Sequence, residues 1–160
     1  MFKIGDMAVY PAHGVGIIEA IENKEIMGNK QHFYVMKILG NNATIMIPQN
    51  GAESVGLREV ISEKEIPKIY DILRDKDVPV DKQTWNKRYK EYWEKIKTGS
   101  VYEIATVLRD LLTLKGDKDL SFGERKMMDT AKNLLVKEIS IATSSEEHKV
   151  EKELNAIFNH

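Results

Sequence analysis

The chain changes its hydrophobic period once, near Ser62, and that switch constrains its fold more than any other feature. Before it, "MAVY" (7–10), "GVGIIEAIENKEI" (14–26), "QHFYVMKIL" (31–39) and "ATIMIP" (43–48) alternate and are rich in Val, Ile, Tyr and Phe. Turn signals at Pro11–Gly14, Met27–Asn29 and Gly40–Asn42 separate them. Four or five short strands in about 60 residues make a small, strongly bent antiparallel sheet or barrel. Such a sheet leaves an edge strand with unpaired backbone groups.

After Ser62 the apolar spacing becomes helical. A Ser followed three residues later by Glu recurs as a capping signal: Ser62 with Glu65, Ser100 with Glu103, Ser121 with Glu124, Ser144 with Glu147. Apolar stripes follow each, such as Ile66, Ile69, Leu73 and Ile104, Val107, Leu108, Leu111. Gly99 and Gly116 stand where helix C-terminal caps are expected. A further helix from about Thr84 to Lys97 fills the gap after "DKDVPVDKQ". The expected organisation is a β module over 1–61 and a helical module of about five helices over 62–160, an α+β chain.

Composition removes several classes of function. The 160 residues contain no cysteine, so disulfides, thiolate metal sites and cysteine nucleophiles are excluded. The four histidines, His13, His32, His148 and His160, show no paired metal-ligand spacing. "AHGVG" lacks the spacing and the following helix of a phosphate cradle and reads as a bend in the β module. With no nucleophile elbow, P-loop or metalloprotease helix, the chain is expected to have no catalytic residue, metal, cofactor or small-molecule substrate. "MFKIGDMAVYP" has no signal-peptide character and no apolar run approaches a membrane span, so a cytoplasmic protein without a membrane partner is expected.

Net charge is −1 overall, but residues 81–115 carry 8 basic and 5 acidic side chains, a local +3. Within them lies "KQTWNKRYKEYWEKIK" (82–97), holding both tryptophans of the chain. On a helix Trp85, Tyr89, Tyr92 and Ile96 share one face, Trp93 widens it, and Lys87, Arg88, Lys90, Lys95 and Lys97 flank it. Tyr89, Tyr92 and Trp93 are expected in the bundle core, with the cations as its wet rim. Trp85, in the first turn among polar neighbours, could cap the bundle or project from it. A projecting indole ringed by cations suits DNA: the charges neutralise phosphates, and the ring wedges into a groove or stacks on an unpaired base.

"FKIGDMAVYPAHGVGIIEAIE", "SVGLRE" (54–59), "TWNKRYKE" and "SVYEIATVLRDLL" together resemble the CarD/CdnL family of bacterial transcription regulators, over essentially the whole chain. The β module is also similar to the polymerase-interacting domain of the transcription-repair coupling factor. The resemblance implies a Tudor-like (SH3-like) small β-barrel that binds the RNA polymerase β subunit by strand pairing. It also implies a helical domain on promoter DNA at the upstream edge of the bubble, with weak sequence preference, stabilising the open complex. By that resemblance Trp85 is the minor-groove wedge, Lys87, Arg88 and Lys90 contact phosphate, and Arg125 adds a cation. On the polymerase side it points to Lys24, Met46 and Pro48. The competing expectation is an adaptor on polymerase, its aromatics all in the core and no DNA contact.

Overall fold

The computed structural model describes residues 2–52, 55–75, 85–117 and 121–158, without the side chains of 85–86, 114–117 and 158. The chain divides into two compact units, Met1–Val60 and Ile61–His160.

The first unit is a five-stranded antiparallel sheet: β1 (Met7–Tyr10), β2 (Gly14–Ile26), β3 (Asn29–Ile38), β4 (Thr44–Pro48) and β5 (Arg58–Glu59), in the order β4-β3-β2-β1-β5. It is the Tudor-like module expected above. The long hairpin of β2 and β3 pairs Ile26 with Asn29 around Met27 and Gly28, whose φ angles of 52° and 82° are both left-handed. Two positive-φ residues make the tight primed turn whose twist suits flanking strands. β2 serves two partners: Gly16 faces Ala8 on β1 and Ile38 on β3. A side chain there would meet the Lys37 carbonyl oxygen at 2.6 Å and the Met36 methyl at 2.7 Å, so only glycine fits. A register shift between Ile18 and Ala20 bends the strand further. Alternation sends Ile18, Tyr34, Met36, Ile38 and Ile47 into the core. Among the described residues β4 pairs only with β3 and β5 only with β1, which leaves both as edges.

The second unit contains α1 (Ile66–Arg74), α2 (Trp85–Lys97), α3 (Val101–Asp117), α4 (Phe122–Thr143) and α5 (Glu147–Phe158). Ile69, Ile96, Leu108, Leu111, Leu135 and Leu154 are among its fully buried side chains. Ser121 and Glu124 form a complete capping box at the start of α4. Ser62 accepts from the Lys64 amide and opens the 3-10 turn Glu63–Glu65 ahead of α1. Gly99 follows α2 at φ 75°, whereas Gly116 falls inside α3, which continues to Asp117.

Ser144 departs from expectation. It does not begin a helix but ends one: at φ 54° its amide donates to α4 carbonyls, and the Ser145 amide reaches Ser140 O at 3.0 Å. The left-handed backbone closes α4, and α5 starts at Glu147. Within this unit the buried Glu138 accepts from the Ile61 amide at 2.8 Å, fixing the first residue of the bundle to α4. No helix among the described residues is long and apolar enough to cross a membrane.

Candidate functional site

On α2 the inward stripe is Arg88, Tyr92 and Ile96, exposed by 9%, 5% and 0%. These are spaced by four residues, so they share a face with no need of Trp85 or Tyr89. The expected core placement therefore holds for Tyr92 and fails for Tyr89, which is 38% exposed. Trp93 is half-buried and meets Tyr89 edge to face, ring centroids 6.0 Å apart. With Lys90, Glu94 and Lys97 these two rings line an open depression of about 580 Å³. The Tyr92 hydroxyl donates to Asp110 Oδ2 at 3.5 Å. Burial first, and then the Asp110 charge, push its phenol well above the ordinary tyrosine range.

Arg88, one of the expected phosphate contacts, turns inward. Its Nη2 donates to Oε2 of Glu124 on α4 at 3.3 Å, and both side chains are buried. A guanidinium can be taken inward only if a carboxylate meets it there. Glu124 reads in the sequence as a cap, so its second role is invisible until α2 and α4 are placed side by side. Lys87 and Lys90 remain exposed, as does Arg125, the residue after Glu124. The Arg88–Glu124 contact brings the first turn of α2 against the first turn of α4, so these exposed cations lie on two helices that meet there. Trp85 opens α2, but its side chain lies outside the described residues, as do Thr84 and His160.

Two residues at this junction escaped the sequence reading. Phe122, the first residue of α4, is 76% exposed, and Lys126 beside Arg125 is exposed too. The available signal was "SFGERK", an aromatic directly behind a capping serine and outside any apolar stripe.

In the β module, Lys24 on β2 and Met46 on β4 meet across β3, with Lys24 Nζ 3.6 Å from the Met46 sulfur. Met46 is 38% exposed and lies opposite Val35, and exposed Pro48 lies opposite Phe33. All three expected residues thus come to the outer surface beside the β4 edge. The same hairpin exposes Ile26 and, at its turn, Met27. Among the described residues no group of three or more His, Cys, Asp or Glu side chains could hold a metal ion. His32 is hydrogen-bonded to Asn23, and His148 lies 3.1 Å from Glu146.

The chain thus joins a sheet module with an open β4 edge to a helical bundle that carries exposed cations on α2 and α4. Residues 2–61 match the family profile "CarD-like/TRCF RID domain", and residues 68–155 match "CarD, C-terminal domain". YdeB of Bacillus subtilis (strain 168), a transcription-factor candidate by its name, is 40% identical over 154 residues, covering 94% of this chain and 97% of that protein. Among solved structures, CdnLNt from Myxococcus xanthus shares 57% identity over 39% of this chain and 89% of its own, with a TM-score of 0.34. The solution NMR structure of the 72-residue N-terminal domain of Myxococcus xanthus CarD shares 34% identity, over 37% of this chain and 79% of its own, with a TM-score of 0.33. The chain belongs to the CarD family of transcription regulators.

Proposed function

We propose that this chain is a non-catalytic, cytoplasmic transcription regulator that holds RNA polymerase with one module and promoter DNA with the other. The β module binds the polymerase β subunit by pairing along the free edge of β4, where Lys24, Met46 and Pro48 gather. The match of residues 2–61 to a domain shared with the coupling-factor family supports this half. The helical module contacts the upstream edge of the melted bubble. Lys87, Lys90 and Arg125 neutralise phosphates there, and Trp85 enters the minor groove as a wedge.

The observation that carries the reading is the packing of α2 against α4 through the buried Arg88–Glu124 pair, with Lys87, Lys90 and Arg125 exposed on those two helices. Each contact alone is weak, but on one complex each raises the local concentration of the other. Preference for melted over closed promoter shifts their equilibrium by that difference in affinity and no more. Phosphate contacts carry little base information, so sequence preference is weak.

The test is the lifetime of complexes between purified polymerase and promoter after challenge with competitor DNA. The full chain should lengthen it and should be captured by the β subunit. Capture with an unchanged lifetime would reduce the protein to an adaptor on polymerase. The absence of both effects would sink the reading.

A further inference from the structure

One carboxylate does two jobs where α2 meets α4. Glu124 Oε1 accepts from the Ser121 amide at 3.2 Å, while Ser121 Oγ accepts from the Glu124 amide at 3.3 Å. The other oxygen, Oε2, takes the Arg88 guanidinium at 3.3 Å. Arg88 is 9% and Glu124 5% exposed, so the pair is shut away from solvent. Exposed cations lie on either side: Lys87 and Lys90 on α2, Arg125 and Lys126 on α4.

We infer that Arg88 and Glu124 are positioning residues: their buried pair sets the spacing between the α2 cations and the α4 cations, and Arg88 itself touches no DNA. The inference rests on the DNA reading above. Phosphates along a duplex have a fixed spacing, so cations on two helices serve one backbone only if the helices keep their register. A buried ion pair is a weak source of net stability, because desolvation offsets attraction, yet it penalises any slip that separates the partners. Glu124 extends that control to the start of α4, since a shift of its side chain disturbs the cap as well.

The pair and a phosphate contact give opposite results on substitution. Glu124→Gln keeps an acceptor for the cap and removes the charge. If Arg88 acts by positioning, Arg88→Met and Glu124→Gln each weaken binding to a random-sequence duplex about tenfold, and the double variant is no weaker than either. If Arg88 contacts phosphate, Arg88→Met alone weakens binding and lowers the salt slope by about 0.9. Glu124→Gln would then leave affinity unchanged or raised, and that result overturns the inference.

A second readout does not depend on DNA. The chain has no cysteine, so Glu91→Cys and Asp129→Cys, at exposed sites on α2 and α4, take a single pair of nitroxides. The parent should give one narrow distance, and the double Arg88→Met/Glu124→Gln variant, which buries no unpaired charge and stays folded, a broad or shifted one. An unchanged distance overturns the inference. A parent that binds no duplex removes the DNA reading instead, and the distances still decide whether the pair sets the helix spacing.

Discussion

Tyr89 and Tyr92 stand three residues apart on α2 in opposite environments, the first 38% exposed against Trp93 and the second 5% exposed against Asp110. Truncation should separate them. Tyr92→Ala empties a core position and should cost about 3–5 kcal/mol, the range for large aromatics. Tyr89→Ala forfeits an exposed edge-to-face contact worth about 1 kcal/mol. Urea denaturation of both variants checks the difference, and equal losses would contradict the assignment of faces.

The buried Tyr92 phenol also gives the bundle an alkaline limit. Folding holds it neutral at a pH where the unfolded chain, with an ordinary value of about 10, would ionise. A raised folded value means the contribution is complete below about pH 10 and drains away as pH rises above it. Tyr92→Phe should flatten the loss of stability between pH 10 and 12 while leaving the hydrogen-bond partner Asp110 in place. Tyr70, raised by burial and by Glu153, keeps some alkaline slope in the variant. Thermal melts across that range provide the measurement.

Gly16 should resist every substitution. In Gly16→Ala the new methyl meets the Lys37 carbonyl, and a backbone oxygen between paired strands cannot swing aside as a side-chain end could. The expected cost is about 1–3 kcal/mol, the usual scale for overpacking. It should appear as a lower melting temperature with the helical signal retained at moderate temperature.

Removing the three exposed cations together, in Lys87→Ala/Lys90→Ala/Arg125→Ala, should weaken duplex binding equally across unrelated sequences. The slope of log affinity against log salt should fall by about 2.7, or 0.9 per phosphate contact. Titrations at four or five salt concentrations read this directly. An unchanged slope would take all three off the DNA.

Met46→Glu places a charge in the middle of the β4 edge beside Lys24. It should cut capture of the chain by the polymerase β subunit severalfold while leaving binding to isolated DNA as it was. Loss of both activities would mean the substitution unfolds the module, and circular dichroism distinguishes that case.

The β module was readable because its signals are local. Alternation is regular along β3, and Gly14, Gly28 and Asn42 stand at turn positions of positive φ, although Ala12 and Met27 adopt it too. β5 is two residues long, too short for any alternation to show. The helices announced themselves through caps, yet the same Ser-x-x-Glu pattern at Ser144 misled, because whether a serine opens or closes a helix depends on its φ. The inward placement of Arg88 was hidden for a different reason. Its partner Glu124 lies 36 residues away, and nothing short of the α2–α4 packing reveals that a cation belongs inside. Lys24 and Met46, 22 residues apart, became neighbours only through the order of three strands. Local chemistry is written residue by residue, whereas pairing between elements is a property of the assembled unit.

The double duty of Glu124 also limits how this protein can change over generations. Its two oxygens have separate obligations, one to the Ser121 amide and one to Arg88, and aspartate is one methylene too short to meet both. Positions 88, 121 and 124 must therefore drift together or stay still. Lys87, Lys90, Arg125 and Lys126 nearby are exposed. On the proposed DNA reading, exchanges of charge or bulk at those exposed positions retune grip by single steps while the triad keeps its frame.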